Sequence, residues 1–329
     1  RAGGRSGRSG CGGWAAGGER ATGAPGADRP AERARRAADR EAPLELARTL
    51  LGTQPWFDEW LAGVRRAGLL ARTSAPETAL RCAAAALARL PEPTSRTELA
   101  TAVGGGAHAL DEGTVASALV LRALAARSGE PPPVGIAGRR DLWERYGVRV
   151  DLVSTTCLTL GLRVTGAASA RFGLAAEAGD PVHLTPWDLR RGRPGASGPV
   201  LVCENPRVLE AVAERFGGRF PVVCTSGQPA LVVLDVLRAL DGAALRYHGD
   251  FDWPGIAIAN RVIAETGAIA WRMAAGDYLD ALSPTGIPLA GPAADPSWDP
   301  ELGAAMRHHG IAVHEEAVLE DLLADLGST

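Results

Sequence analysis

The chain has 329 residues, of which 46% are hydrophobic and 22% charged, as is ordinary for a globular protein. All 35 basic residues are arginine and 38 residues are acidic, so the formal net charge of −3 excludes a globally basic nucleic-acid-binding chain. The length favours about two domains, each with a core of its own.

Residues 1–40 are rich in glycine, arginine and alanine and contain almost no large apolar side chains. Such a segment cannot bury enough apolar surface to offset the entropy lost when it becomes ordered. We therefore predict that residues 1–40 are disordered or a non-native N-terminal segment. The basic run Arg29–Arg40 would allow contact with a phosphate backbone, but a solvated tail is the favoured interpretation.

The stretch from residue 41 to residue 195 is predicted to form a mainly helical N-terminal domain. Apolar side chains recur there at spacings of three and four, as at Trp56, Trp60 and Val64, which places them on one helical face. The two tryptophans are interpreted as core anchors rather than as a platform for a ligand. We expect this domain to dock onto DNA or onto a partner protein.

An arginine-rich loop lies near the end of this domain. It contains Arg190, Arg191 and Arg193, which form the best local basic patch near the acidic motif described below. Together with Arg246, these residues are candidates for contact with the DNA backbone. A merely solvated loop explains the three neighbouring arginines equally well.

Residues 196–329 alternate between short apolar runs and helical patterns. A helical pattern follows each of the first three predicted strands. This alternation predicts an α/β domain in which helices cover both faces of a parallel, Rossmann-like sheet. The predicted strands are Pro199–Cys203, Phe220–Cys224, Leu245–His248 and Ala268–Met273.

Cysteine usage and hydropathy bear on the compartment. The five cysteines are far apart and form no Cys-x-x-Cys pair, so neither a disulfide framework nor a zinc ribbon is expected. No apolar run approaches the ~18 residues needed to span a bilayer, and the N-terminus has no apolar signal segment. We therefore expect a protein of the reducing cytoplasm with no membrane partner.

Polar residues follow the ends of the first three predicted strands. Glu204 follows the first strand, Gly227 lies in the turn after the second, and Asp250 and Asp252 follow the third. Ligands of open α/β sheets bind beyond the carboxyl ends of the strands, so the three carboxylates meet at one rim if the first and third strands are neighbours. Three carboxylate donors favour Mg²⁺ or Mn²⁺ over zinc or copper.

Helix capping offers a second interpretation of the aspartates. Asp252 suits the N-cap of a helix that begins near Pro254, and Asp250 would assist it. Capping accounts for one carboxylate but not for two together with Glu204, so the metal site is the favoured hypothesis. His248 is interpreted as a structural hydrogen-bonding residue rather than a ligand, because hard cations prefer oxygen.

Four short segments carry a more specific resemblance. They are Cys203–Pro206, Thr225–Pro229, Tyr247–Gly255 and His314–Glu316, in this order. A glutamate after the first strand, a glycine turn after the second and Asp-x-Asp after the third resemble the Toprim domain of topoisomerases, primases and nucleases. The amino-acid sequences of all four segments together resemble the Toprim nuclease subunits of Wadjet anti-plasmid defence systems, and the resemblance covers roughly residues 55–326.

This resemblance implies a Mg²⁺-dependent DNA endonuclease that cleaves plasmid double-stranded DNA beside an SMC-type, condensin-like ATPase complex. It implies that Asp250 and Asp252 hold the cation and that Glu204 organises the metal and serves as a general base. Hydrolysis is favoured over a tyrosyl-DNA intermediate, because no tyrosine lies in an evident winged-helix motif. A homodimer would allow two sites to cut opposite strands, and the number of metal ions stays open.

The resemblance also brings in auxiliary residues. Asn205 would orient Glu204 or contact phosphate. The residues His314, Glu315 and Glu316 match an acidic stretch of the family, and a second metal, a helix cap and an exposed helix start all remain compatible with them. The alternatives to an endonuclease are a non-catalytic DNA-binding or assembly subunit and another Toprim phosphotransfer enzyme.

Overall fold

The computed structural model describes residues 41–104, 106–283 and 285–328. The predicted disordered or non-native segment, residues 1–40, lies outside the described residues. The described chain forms two units, and each unit is built around a hydrophobic core of its own.

The first unit is helical, as predicted for this part of the chain. Its central helix is α5, which packs against α2, α3 and α6 and buries eight of its thirteen residues, as expected for a core helix. Trp60 is 2% exposed, and its indole N–H donates a hydrogen bond of 3.0 Å to the Leu119 carbonyl. The elements are α1 (41–51), α2 (Phe57–Arg66), α3 (Pro76–Arg89), β1 (Thr94–Ser95), α4 (Arg96–Gly104), α5 (Val115–Arg127), α6 (Gly135–Arg145) and β2 (Val148–Arg149).

The second unit contains a six-stranded sheet with the strand order β10-β9-β7-β8-β3-β5. Strands β7 to β10 are parallel, whereas β3 runs antiparallel to both β8 and β5. The α/β class is therefore confirmed, but the sheet is mixed rather than wholly parallel. The strands are β3 (Cys157–Leu160), β4 (Arg163–Val164), β5 (Val182–Leu184), β6 (Pro194–Gly195), β7 (Val200–Cys203), β8 (Val222–Cys224), β9 (Leu245–Tyr247), β10 (Ile269–Ala270), β11 (Ile287–Pro288) and β12 (Ile311–Ala312).

Helices cover this sheet and explain the composition of its central strands. Every residue of β7 and of β8 is buried, which requires the continuous apolar runs of a sheet covered on both faces. The helices are α7 (Ser169–Ala178), α8 (Pro186–Arg191), α9 (Pro206–Phe216), α10 (Leu231–Ala239), α11 (Trp253–Thr266), α12 (Ala275–Asp280), α13 (Pro300–His309) and α14 (Leu319–Gly327). Within the described ranges, no helix combines the length and the apolar character needed to cross a bilayer.

The sheet unit begins upstream of the predicted boundary at residue 196. Strand β3 pairs with β8 through Leu158 and Cys224, and the core of the sheet unit already includes Cys157. The core of the helical unit ends with Val148. A single apolar strand does not reveal its partner, so the sequence placed β3 and β5 in the helical domain although they complete the sheet.

Strand β7 lies between β8 and β9, so the first and third strands of the predicted series are neighbours. From β7 the chain continues to β8 on one side of β7 and then crosses to β9 on the other side. The direction in which successive strands are added to the sheet therefore reverses between β7 and β9. In open α/β sheets, the carboxyl ends of strands at such a switch point border the ligand-binding crevice.

Candidate metal centre

The two aspartates after β9 are fixed by different backbone groups. Asp252 is the N-cap of α11, and its Oδ1 accepts a hydrogen bond of 2.6 Å from the Gly255 N–H. Asp250 caps nothing in that helix, and its Oδ1 accepts a hydrogen bond of 2.7 Å from the Glu315 N–H. Each carboxylate thus uses one oxygen for its orientation and keeps a second oxygen for another ligand.

A distant segment completes the cluster. Phe251 and Val313 form an isolated antiparallel bridge, with N···O distances of 2.8 Å and 3.3 Å, which brings His314 to the aspartate turn. One donor atom each from Asp250, Asp252 and His314 lie within 4.8 Å of one another. All three side chains are half-buried, so the cluster is open to solvent on one side. Two carboxylates and one imidazole thus form a group that could hold a cation.

Glu204 follows β7 and lies beside this cluster without being one of its three members. Burial, and after it the charges of Asp250 and Asp252, raise the pKa of Glu204 from 4.5 to about 7. Burial also raises the pKa of Asp250. Glu204 Oε2 is buried, and among the described residues it has no hydrogen-bond partner. The rim therefore contains mutually repelling carboxyl groups that a cation would stabilise.

Gly249 allows the glutamate to approach the turn. A Cβ atom at this position would lie 2.8 Å from Tyr247 Oη and 3.2 Å from Glu204 Oε2, so no larger residue fits without displacement. Tyr247 is fully buried, and its hydroxyl has no hydrogen-bond partner in the described part of the chain. The carboxyl group of Glu204 is thus held in a tight polar space.

Glu315 braces the two turns against each other. The side chain is fully buried, and it accepts hydrogen bonds from the backbone N–H groups of Glu204, at 3.3 Å, and Asn205. Its own N–H holds Asp250. Burial is the largest influence on Glu315, and it raises the pKa of this carboxyl well above the usual range. Glu315 is therefore a buried structural link between the two turns and not an exposed helix start.

The remaining auxiliary residues surround Glu204. The Asn205 side chain caps α9 by accepting from the Arg207 N–H at 2.9 Å, and its Nδ2 donates to Glu316 at 2.6 Å. The Gly227 N–H donates to the Glu204 carbonyl at 3.4 Å, and the φ of Gly227 is +81°, which favours glycine. All three of these residues thus support the loop that carries Glu204.

His248 lies outside the three-donor cluster, in agreement with the structural role expected for it. The ring is 1% exposed, and Nδ1 lies 3.1 Å from the Trp271 carbonyl. Burial lowers the pKa of His248 to about 4, so the ring is neutral at physiological pH.

The four candidate DNA-contacting arginines are not members of the three-donor cluster. Arg190 and Arg191 lie in α8 rather than in the predicted loop, because a capping box of Thr185 and Asp188 starts a helix there. Arg190 and Arg193 line a cleft of about 740 Å³ between the two units, where Arg190 forms an ion pair of 3.1 Å with Glu144. Arg191 lies over the Trp187 ring, 5.5 Å from its centroid. Arg246 is half-buried in β9 and lines a small cavity of about 50 Å³. Their contact with DNA stays a prediction.

The donor set fits a divalent cation. The free carboxylate oxygens suit Mg²⁺ and Mn²⁺, and the imidazole of His314 adds a nitrogen that later transition metals accept more readily than Mg²⁺. The buried Oε2 of Glu204, which has no hydrogen-bond partner among the described residues, adds negative charge next to the cluster once Glu204 is deprotonated. The sequence left a second metal open for His314, Glu315 and Glu316 but did not group His314 with the aspartates, because no local spacing links positions more than sixty residues apart.

Comparison with known families covers most of the chain in two parts. Residues 182–326 match a family model described as "Protein of unknown function C-terminus (DUF2399)". Residues 4–164 match one described as "Protein of unknown function N-terminus (DUF3323)". Each match covers somewhat less than half of the chain, and neither description names an activity. No curated protein matches the chain.

Proposed function

We propose that the protein is a Mg²⁺- or Mn²⁺-dependent DNA endonuclease of the Toprim type. The observation that carries the proposal is the cluster of Asp250, Asp252 and His314 beside Glu204, at the switch point of an α/β sheet. The Glu, Gly, Asp-x-Asp order at three successive strand ends supports the assignment. In the proposed setting, the chain is the nuclease subunit of a cytoplasmic SMC-like anti-plasmid complex and acts on double-stranded DNA.

The proposed chemistry is hydrolysis of a phosphodiester bond. A bound divalent cation would stabilise the negative charge that builds up on the phosphate oxygens, and Asp250, Asp252 and His314 would hold it. Glu204 accepts a proton from the attacking water while the water oxygen bonds to phosphorus and the bond from phosphorus to the leaving ester oxygen breaks. Solvent protonates the leaving oxygen, and a carboxyl group whose pKa is about 7 suits the role given to Glu204. Glu315 positions Glu204 and Asp250 through backbone hydrogen bonds.

Substrate and partners follow from the resemblance and from the shape of the rim. The three donors are half-buried, so a phosphodiester backbone can approach them from solvent. A homodimer would supply two sites, one for each strand. An SMC-like ATPase complex would bring circular DNA to the nuclease, and the helical unit is the proposed docking element for DNA or for this partner.

Cleavage of supercoiled plasmid DNA by the purified protein tests the proposal, first alone and then with the SMC-like complex present. We expect nicking and linearisation that need Mn²⁺ or Mg²⁺ and stop with a chelator. Glu204→Gln and Asp250→Asn should abolish the reaction, which also excludes a contaminating nuclease. DNA binding without cleavage under both conditions would instead favour the non-catalytic DNA-binding or assembly subunit.

A further inference from the structure

A cavity distinct from the metal centre lies beside the turn that carries Asp250 and Asp252, and it borders α12 and α14. It has a volume of about 200 Å³, and its apolar wall includes Phe251, Val318 and Leu322. His248 also lines it. One water molecule takes up about 30 Å³ of liquid, so this space is much larger than the site of a single structural water.

The tautomer of His248 leaves an acceptor without a donor. The Trp271 carbonyl can only accept, so Nδ1 carries the proton, and in the neutral ring Nε2 has a lone pair. Nε2 is buried and lacks a hydrogen-bond partner among the described residues. Arg272, the next residue after Trp271, lines the cavity and has a φ of +55°, an unfavourable conformation for arginine. A buried acceptor of this kind is unfavourable unless a donor approaches it.

The net charge of the residues that line the cavity is negative, because one arginine faces three aspartates. Asp277 forms an ion pair of 3.2 Å with Arg272 and accepts a hydrogen bond from the Ala274 N–H, so its charge is offset. Asp280 and Asp321 also line the cavity, and within the described part of the chain neither has a hydrogen-bond or ion-pair partner. The carboxylates of Asp280 and Asp321, which lack a compensating charge, therefore line the same cavity as the unpaired Nε2 of His248.

We propose that this cavity binds an alkylammonium or alkylguanidinium group. An N–H of the group donates to Nε2 of His248, the carboxylates of Asp280 and Asp321 offset its charge, and its aliphatic stem packs against the apolar wall. A lysine or arginine side chain of a partner protein and a free polyamine share this chemistry. Water alone would donate a hydrogen bond to Nε2 of His248. It would neither offset the charges of Asp280 and Asp321 nor pack against the apolar wall.

The position of the cavity links it to the metal centre. Phe251 lines the cavity and also pairs with Val313, the residue before His314. An occupant therefore contacts the turn that carries Asp250 and Asp252. The binding proposal stands independently of the nuclease proposal, because none of its three polar groups belongs to the metal cluster.

Nuclear magnetic resonance of protein labelled with ¹⁵N-histidine tests the site directly. The His248 Nε2 signal is assigned by its loss in His248→Gln. We expect n-butylguanidinium to shift this signal saturably, because a new donor reaches the lone pair, and neutral n-butylurea to bind at least about tenfold more weakly. Parallel titrations with spermidine and with the peptide acetyl-Gly-Arg-Gly-amide separate the two sources of the cation.

Two surface variants provide the matched comparison. Asp280→Asn with Asp321→Asn should weaken n-butylguanidinium binding roughly tenfold, as expected for the loss of two partly solvated charges. Asp58→Asn with Glu59→Gln removes two exposed charges from α2 and should leave the affinity unchanged. Tighter binding of the peptide points to a partner side chain, and tighter binding of spermidine points to a free polyamine. If no probe shifts Nε2, or if both double variants bind equally well, the cavity holds only water and the proposal fails.

Discussion

The two units of the molecule bury polar groups very differently. Among the described residues of the helical unit, Ser117 is the one buried polar side chain, whereas the sheet unit buries Thr159, Asp188, Thr225, His248 and Glu315. The last three of these lie at or beside the carboxyl ends of the parallel strands. Both units have an apolar core, but the sheet unit also buries polar and ionisable side chains at one rim, where burial is unfavourable for their charged forms.

This difference indicates where changes should affect stability and where they should affect chemistry. A rim that collects carboxyl groups with raised pKa values is poorly stabilised until a cation or substrate arrives. Truncation in the helical core should therefore reduce the free energy of unfolding. Loss of a rim carboxylate should reduce cation binding and cleavage while leaving the fold intact.

The largest effect is expected for Asp250→Asn. Asparagine keeps the shape and the hydrogen bond from the Glu315 N–H but removes the charge that holds the cation. We expect plasmid cleavage to fall at least about 10³-fold, which corresponds to the several kcal/mol that a positioned cation supplies. Thermal unfolding of the metal-free variant should occur at or above the wild-type temperature. Full cleavage by this variant would contradict the assignment of the rim carboxylates to cation binding and catalysis.

Trp60→Ala should reduce stability and leave cation binding unchanged, the opposite of what is expected for Asp250→Asn. Removal of this buried ring from the helical core should lower the free energy of unfolding by about 3 kcal/mol or more, as measured by denaturant titration. Mn²⁺ affinity of the folded variant should stay at the wild-type value. Trp187→Ala is the matched control, because this tryptophan is 47% exposed. Equal stability of the two variants would contradict the role of Trp60 as a core anchor.

Glu315→Gln should weaken cation binding by roughly 10- to 100-fold, as is typical when a residue that orients metal ligands is changed. The amide NH₂ of glutamine would face the backbone N–H of Glu204 or Asn205, which needs an acceptor. Calorimetric titration with Mn²⁺ measures the loss. Glu316→Gln is the control, since its oxygen can still accept from Asn205. If both variants bind Mn²⁺ equally, Glu315 does not position the site.

The smallest effect is the dependence on pH. Glu204 has a pKa raised from 4.5 to about 7, so the metal-free folded protein holds a proton that the unfolded chain has released. Its stability should therefore fall as the pH rises through this window. Cation binding expels the proton, so Mn²⁺ affinity should rise about fivefold between pH 6 and pH 7 and level off above about pH 8. Glu204→Gln should flatten both profiles, and unchanged profiles would exclude Glu204 as the titrating group.

The sequence was informative where the chain has a strong local pattern. The apolar runs of β7 and β8 are fully buried, and β9 buries Leu245 and Tyr247, so the strand ends, and with them Glu204 and Asp250, could be located from the sequence pattern. The N-cap role of Asp252 was also foreseen as the alternative to a metal role, and the structure is compatible with both. A carboxylate has two oxygens, so capping and coordination do not exclude each other.

Long-range pairing was beyond the reach of local patterns. The antiparallel placement of β3 depends on a partner more than sixty residues away, and a short apolar strand is equally compatible with several partners. The bridge between Phe251 and Val313 and the hydrogen bond from the Glu315 N–H to Asp250 bring His314 to the aspartates, and both are long-range contacts. The burial of Glu315 was unexpected because an acidic residue at a helix start is usually exposed.

Electron paramagnetic resonance of bound Mn²⁺ reports the ligands of the metal centre without requiring cleavage. We expect one Mn²⁺ per chain at the cluster, with a coupling to an imidazole nitrogen that disappears in His314→Ala. Asp250→Asn should weaken this binding strongly, while Asp58→Asn on α2 should not. A nitrogen coupling that persists in His314→Ala, or equal Mn²⁺ affinity in all of these variants, would contradict a metal centre formed by Asp250, Asp252 and His314.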